Sequence, residues 1–316
     1  MKNAVDVRNL SKHYGDVEAL KEISFSVEKG ELFGFIGPDG AGKTTLFRIL
    51  ATLILADSGS ARVEEYEVVK DYRKIRQIIG YMPGRFSLYQ DLTVEENLRF
   101  FATIFKTTIE ENYDLVKDIY SQIEPFKTRK AGQLSGGMKQ KLALSCALIH
   151  KPEVLLLDEP TTGVDAVSRQ EFWEMLKRLK AQGITIVVST PYMDEASLCD
   201  RVALIQDGSI MQISTPDSVV KAYPMGLFSV TATDIYQLLH DLQNLPHARS
   251  VFAFGQAAHL SFKKGKLSSA DVVGFLREKK HEEVHVEEIK PSIEDCFMEL
   301  MQTPNSETAK RNVQHS

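Results

Sequence analysis

Short apolar runs alternate with helix-forming segments through most of the first two-thirds of the chain. The runs Glu31–Ile36, Val154–Leu157 and Ile184–Val188 are apolar at nearly every position, which is typical of strands buried on both faces of a parallel sheet. Helical periodicity follows over residues 42–52 and 168–182. This alternation predicts a parallel α/β sheet covered by helices.

Two regions depart from this alternation. Near the amino terminus, Val5–Val7 is predicted to form an edge strand and Ile23–Val27 a second strand, because polar and apolar residues alternate there. From Thr93 to about residue 151 the periodicity is helical, and Thr93 followed by Glu96 forms a capping box at the start of a helix. The parallel sheet is therefore expected to be interrupted by a helical insertion.

The pattern changes again near residue 224. Strand-like segments are predicted at 227–231, 250–254, 259–262 and 284–289, and helices at 235–242, 269–280 and 292–301. Their β-α-β-β-α-β order suggests a split βαβ sandwich. We expect a first domain over residues 1–222 with its helical insertion at about 84–151, an α+β domain over 225–302, and a polar, disordered tail over 303–316.

Composition narrows the functional classes. Of 316 residues, 43% are hydrophobic and 26% charged, which predicts a globular protein, and the net charge of -5 argues against a general nucleic-acid binder. No apolar stretch approaches the roughly 20 residues that cross a bilayer, and the amino terminus lacks the apolar segment of a signal peptide, so a cytoplasmic location is expected. Cys146, Cys199 and Cys296 show no CxxC spacing and are expected to be reduced, packed thiols.

The strongest chemical motif follows the first apolar run. Residues 37–44 read GPDGAGKT, which fits the pattern G-x-x-x-x-G-K-[ST] of a phosphate-binding loop between a strand and a helix. Small residues let backbone N–H groups approach phosphates closely, and the helix N-terminus adds partial positive charge. Lys43 is expected to reach the β- and γ-phosphates and Thr44 to bind Mg²⁺.

A second motif stands at the end of the run that begins at Val154. Two carboxylates, Asp158 and Glu159, follow four buried apolar residues. Asp158 is predicted to hold Mg²⁺ directly or through water. Glu159 is the better candidate for orienting or deprotonating an attacking water. A solvated acidic turn is the alternative interpretation of these two residues.

Between these motifs, residues 134–140 read LSGGMKQ, and here the chain resembles the ATP-binding subunits of ABC transporters. The resemblance covers residues 2 to about 222 and implies an ABC ATPase fold with ATP and Mg²⁺ as cofactors. It also implies that ATP lies between two cassettes arranged head to tail, with the phosphate loop of one facing the LSGG signature of the other. Ser135 is expected to cap the helix that begins at Gly136. The implied ATP-binding residues are Tyr14, Gly37, Pro38, Asp39, Gly40, Ala41, Gly42, Lys43, Thr44, Thr45, Ser135, Gly136 and Gly137.

The resemblance assigns several single positions. Tyr14 matches the aromatic residue that stacks on adenine, with a core tyrosine as the rival interpretation. The segment 189–196 resembles the switch loop that contacts the γ-phosphate, yet Pro191 stands where the family has histidine. Gly84 stands where the family usually has the glutamine that touches Mg²⁺ and the attacking water. Asp39 stands where the family usually has asparagine, and no change of function is inferred from this substitution.

Three functional classes compete. The signature disfavours an ordinary P-loop kinase or GTPase. The spacing of about 90 residues between Gly42 and Leu134 leaves no room for the coiled coil of DNA-repair relatives, and a single cassette differs from ribosomal relatives. The favoured class is the ATPase subunit of a transporter, peripheral on the cytoplasmic face of the cell membrane and partnered by integral membrane permease subunits and a second cassette. A non-transport ABC ATPase, regulatory or ribosome-associated, is the alternative.

The carboxyl-terminal pattern favours export. The segment 291–297 and the segment 84–98 resemble drug- and polysaccharide-type (ABC-2) export ATPases, including the daunorubicin-resistance group. Phe86, Leu88 and Tyr89 are candidates for a groove that receives a membrane subunit's coupling helix, with packing inside the cassette as the alternative. The departures at Gly84 and Pro191 raise the possibility of a degenerate half of an asymmetric pair. A homodimer that relies on Glu159 is the rival interpretation.

Overall fold

The computed structural model describes residues 2–302, so the predicted disordered tail over 303–316 lies outside the described residues. The chain divides between Pro216 and Asp217 into two compact units. The boundary expected at residues 222–225 lies a few residues after this division.

The first unit contains two sheets and six helices within the described residues. Its strands are β1 (Asn3–Tyr14), β2 (Val17–Glu28), β3 (Leu32–Ile36), β4 (Ser58–Val63), β5 (Tyr66–Glu67), β6 (Ile79–Met82), β7 (Val154–Asp158), β8 (Thr185–Thr190), β9 (Arg201–Gln206) and β10 (Ser209–Ser214). Its helices are α1 (Lys43–Leu50), α2 (Tyr72–Ile78), α3 (Val94–Ile104), α4 (Tyr113–Tyr120), α5 (Gly136–Leu148) and α6 (Ala166–Ala181). Short 3₁₀ turns lie at Glu124–Phe126, Ala131–Gln133 and Met193–Leu198.

The larger sheet has the strand order β10-β9-β3-β8-β7-β6. Its neighbouring strands are parallel except at the β10 edge, and every residue of β3, β7 and β8 is buried. Because parallel strands end at one edge of a sheet, the residues after β3, β6, β7 and β8 meet there. The α/β fold predicted from the apolar runs is confirmed.

The second sheet is antiparallel, in the order β2-β1-β4-β5. The prediction of Val5–Val7 as an edge strand is wrong, because β1 pairs with β2 on one side and with β4 on the other. Alternation along a strand shows that one face is buried, but it does not report how many partner strands lie beside it.

Helices α3, α4 and α5 form the insertion between β6 and β7. The capping box at the start of α3 is present: the Thr93 hydroxyl accepts from the Glu96 N–H, and the Glu96 carboxylate accepts from the Thr93 N–H. The Ser135 side chain likewise accepts a hydrogen bond from the Met138 N–H and caps α5.

Helix α7 (Pro216–Lys221) begins at the last residue of the first unit and lies otherwise in the second. The second unit continues with β11 (Gly226–Thr231), α8 (Ile235–Gln243), β12 (Ala248–Phe254), β13 (Ala257–Phe262), α9 (Ser269–Glu278), β14 (His285–Glu288) and α10 (Ile293–Gln302). Its antiparallel sheet has the order β12-β13-β11-β14, so each βαβ pair is split by a strand of the other pair. Apolar side chains of β11, β13, α8 and α9 form its core.

Candidate nucleotide-binding site

The loop between β3 and α1 wraps so tightly that only glycine fits at two positions. A Cβ at Gly37 would lie 2.1 Å from the carbonyl oxygen of Ile205, and one at Gly42 would lie 2.3 Å from that of Ala19. Gly42 also has a φ of 100°, a left-handed conformation that L side chains rarely adopt. The loop is therefore built from close backbone approaches, as phosphate cradles require.

Lys43 lies at the centre of this loop. Its ammonium donates to the carbonyl oxygens of Gly37 and Pro38, at 2.7 and 2.9 Å, and lies 3.1 Å from Oε1 of Glu159. The side chain of Lys43 is only 2% exposed, whereas that of Glu159 is 20% exposed. One buried cation is thus held by three oxygen atoms, of which only the carboxylate carries charge.

Asp158 joins the loop to the neighbouring strands. Its Oδ1 accepts hydrogen bonds from the hydroxyls of Thr44, at 3.2 Å, and Ser189, at 2.8 Å. Burial raises the pKa of Asp158 above its usual range, and the hydrogen bonds from Ser189 and Thr44 oppose that shift. A hydroxyl and a carboxylate beside a phosphate cradle are the donor set that Mg²⁺ uses when phosphates and water complete its shell. The residues present therefore fit Mg²⁺.

Glu159 is held in an unusual backbone conformation. Its φ of 51° lies in the left-handed region, although it is not a glycine. Its N–H donates both to the carbonyl oxygen and to the hydroxyl of Ser189, at 3.1 and 3.0 Å. Such conformations cost about 1–3 kcal/mol and persist where surrounding contacts fix them, often at functional sites.

An open cleft of about 640 Å³ runs along this loop. Its lining includes five residues of the loop and α1 together with Glu159, namely Gly40, Gly42, Lys43, Thr44, Thr45 and Glu159. The other lining residues are Tyr14, Asp16, Val17, Glu18, Ala19, Lys21 and Asp207. Tyr14 is 48% exposed, so the alternative of a core tyrosine is wrong. Of the remaining loop residues, Gly37 and Ala41 are buried and Asp39 is exposed.

The signature residues lie outside this cleft. Ser135 and Gly136 are exposed at the start of α5, and none of Ser135, Gly136 or Gly137 lines the cleft around Lys43. A Cβ at Gly137 would lie 2.7 Å from the hydroxyl of Ser168, so this glycine lets α5 approach α6. Within one chain the phosphate loop and the signature are therefore separate surfaces.

The two departures from the family pattern lie at the same sheet edge. A Cβ at Gly84 would lie 3.0 Å from the carbonyl oxygen of Asp158, closer than most real Cβ contacts. Pro191 follows β8, between Thr190 and Tyr192, and supplies neither an N–H nor a polar side chain.

Three side chains that were not predicted to be site residues hold this edge together, namely Ser189, Glu195 and Arg169. Ser189 binds both Asp158 and the backbone of Glu159. Glu195 is 2% exposed and accepts hydrogen bonds from two threonines and from Arg169. Ser189 and Glu195 lie in the segment that resembles the switch loop, but no local sequence signal indicates that Glu195 is buried, because a buried glutamate and a surface glutamate look alike in a sequence.

Comparison with known proteins places the chain in a family. Residues 20–162 match the family described as ABC transporter. Nod factor export ATP-binding protein I of Burkholderia lata is 39% identical over 221 residues, which cover 69% of this chain and 73% of that protein. The chain belongs to the ABC transporter family of ATP-binding proteins.

Further relatives in this ABC family extend the match. The probable multidrug ABC transporter ATP-binding protein YbhF of Escherichia coli is 37% identical over 294 residues, 90% of this chain and 50% of the relative. The chain therefore spans about half the length of YbhF, and the match continues into the second unit. Linearmycin resistance ATP-binding protein LnrL of Bacillus subtilis is 38% identical, covering 67% of this chain and 69% of LnrL.

Solved ABC cassettes share the fold. The structure of cbiO1 from Clostridium perfringens, part of the ABC transporter complex cbiONQ, has a TM-score of 0.63 at 28% identity and covers 70% of this chain and 92% of that one. The dimeric bacterial cassette MJ0796 has a TM-score of 0.61 at 28% identity and covers 67% of this chain and 98% of that one. Among residues 2–302, no helix is both long enough and apolar enough to cross a membrane.

Proposed function

We propose that this protein is the ATP-binding subunit of an ABC exporter and that it powers transport by binding and hydrolysing MgATP. The observation that carries the proposal is the convergence of Lys43, Thr44, Asp158 and Glu159 at one edge of the sheet, beside the cleft. The names of the relatives, which concern multidrug transport, Nod factor export and linearmycin resistance, support export over import.

Each residue in the cleft has a chemical task in this proposal. The loop from Gly37 to Thr45 surrounds the phosphates with N–H groups, and Lys43 neutralises their charge. Thr44 and Asp158 would hold Mg²⁺, which neutralises charge that develops on the phosphate oxygens. Glu159 orients the attacking water, and the exposed ring of Tyr14 stacks on adenine.

A second cassette would complete the site. Ser135 and Gly136 are exposed, lie at the N-terminus of α5 and are absent from the cleft of their own chain. A helix N-terminus with free N–H groups is suited to a γ-phosphate that another chain presents. The solved cassette MJ0796 is dimeric, which supports the pairing of two cassettes.

The proposed membrane partner would dock in a separate groove of the first unit. This groove of about 400 Å³ lies between the sheet and the helical insertion and is lined mainly by apolar side chains, among them Phe86, Leu88, Phe101 and Ile104. Tyr89 does not line it and packs edge-on against Phe100 instead. An apolar groove suits a short amphipathic helix, and permease subunits would hold the protein at the cytoplasmic face of the membrane.

Introducing a charge into this groove should release the partner. Ile104 is 54% exposed and lines the groove, so Ile104→Asp is expected to lower recovery of co-expressed permeases from the neighbouring genes more than tenfold, because a carboxylate would be buried unpaired. Val69→Asp, a change of similar kind outside the groove, should co-purify like the wild type. If the wild type stays off membranes beside these permeases, the non-transport alternative replaces the exporter proposal.

Neutralising Glu159 should tighten nucleotide binding. The phosphates must displace Glu159 from Lys43, so Glu159→Gln is expected to bind ADP about threefold to fivefold more tightly, from roughly 1 kcal/mol of lost competition. The affinity is measured by calorimetry with ADP, because ADP is not hydrolysed during the titration. Glu159→Asp keeps the charge and should bind like the wild type, whereas equal or weaker binding by Glu159→Gln would show that the ion pair does not compete.

A further inference from the structure

A buried carboxylate fastens the switch loop (Ser189–Ala196). Oε2 of Glu195 accepts hydrogen bonds from the hydroxyls of Thr190, at 2.5 Å, and Thr161, at 3.1 Å. Its Oε1 accepts from Nε of Arg169, also at 3.1 Å. A carboxylate that is 2% exposed is costly to bury unless it is paired, and here both of its oxygens are bound.

The two threonines lie next to residues of the proposed catalytic site. Thr161 stands two residues after Glu159 on the chain, and Thr190 directly follows Ser189. Ser189 in turn binds the carboxylate of Asp158 and the N–H of Glu159. Glu195 therefore ties the segments that follow β7 and β8 to each other.

Arg169 fixes this junction to α6. Besides its bond to Glu195, its Nη2 donates to Asp194 at 3.0 Å, and its guanidinium lies 4.1 Å from the centre of the Tyr192 ring. The planar guanidinium thus makes three different contacts with one loop, which an ammonium group cannot reproduce.

The same contacts explain how proline fits at position 191. The Tyr192 N–H donates to the Thr190 hydroxyl at 3.0 Å, and that hydroxyl donates to Glu195. The residues on both sides of Pro191 are therefore held without any donor from position 191 itself.

We propose that Glu195 and Arg169 are positioning residues for ATP hydrolysis: by joining Thr161 to Thr190, they hold the Glu159 carboxylate and the switch loop in register. This inference rests on the proposed function. It assigns the fixing of the loop to a glutamate–arginine pair, although the loop lacks the histidine of the family pattern.

The test measures single-turnover hydrolysis by the purified chain at saturating MgATP, an assay that also resolves the slow rate expected of its own site, together with the Kd for ADP. Glu195→Gln and Arg169→Ala are expected to lower the rate by roughly tenfold to 100-fold, because small misplacements of reacting groups are that costly, with the Kd for ADP within twofold of the wild type. Arg169→Lys should recover part of the rate. Arg178→Ala removes an arginine–aspartate pair from the same helix and should change neither quantity.

Hydrogen exchange supplies a readout that does not require turnover. If the pair positions both segments, the amides of 159–162 and 189–196, other than the prolines Pro160 and Pro191, should lose protection together in Glu195→Gln. They should also lose protection in Thr161→Val, which is the milder change if Glu195→Gln misfolds. Unchanged rates and exchange, or a fall in rate matched by an equal fall in ADP affinity, would overturn the inference. Failure of the wild type to bind ADP would instead remove the proposed function.

Discussion

Replacing Lys43 with alanine is expected to weaken MgATP binding by roughly 100-fold or more, since hydrogen bonds between charged groups contribute up to about 3 kcal/mol. The loss has two parts. The phosphates lose their cation, and the Glu159 carboxylate, now without a partner at 3.1 Å, repels them. Calorimetric titration of the purified chain with ATP and Mg²⁺ measures the change.

Two further variants separate these parts. Lys141→Ala removes another largely buried lysine, paired with Glu171 at 2.7 Å and absent from the cleft, and should leave ATP affinity unchanged. Lys43→Ala combined with Glu159→Gln should recover part of the loss, because the repulsive charge is gone. An unchanged Kd in Lys43→Ala would contradict the assignment of the phosphate loop.

The sequence was most informative where structure is local. The caps at Thr93 and Ser135 depend on residues three positions apart, and both are present in the structure. The buried strands of the larger sheet were likewise visible as apolar runs. The glycines of the phosphate loop predicted close backbone approach, which the contacts at Gly37 and Gly42 bear out.

The sequence was least informative where contacts join distant segments. Strand β1 was assigned to a sheet edge because its second partner, β4, lies beyond the phosphate loop in the sequence. The bond of Glu195 to Thr161 spans 34 residues, and nothing near Glu195 in the sequence indicates burial. The pairing of Lys43 with Glu159 depends on β3 and β7 ending at the same edge, so a motif list alone could not reveal it.

The departures at Gly84 and Pro191 lead to the second large expected effect, on turnover. We expect the chain alone to hydrolyse ATP slowly, because each missing preorganised donor typically costs a factor of ~10²–10³. The signature is intact, with Ser135 capping α5, so we expect this chain to complete the site of a partner cassette that carries the glutamine and histidine. A mixed complex with a cassette from the same operon should therefore turn over far faster than either the chain alone or a mixture lacking that signature.

Two substitutions assign the working site in that complex. Ser135→Arg, which places a bulky cation where the partner's γ-phosphate would lie, should abolish turnover, whereas Glu159→Gln should leave most of it. Gln122→Arg adds the same charge on an exposed position of the helical insertion and should have no effect. The opposite result, rapid hydrolysis by the isolated chain that Glu159→Gln abolishes, would establish a homodimer. In that case the Glu195–Arg169 pair would have to hold the switch loop in an active position despite Pro191.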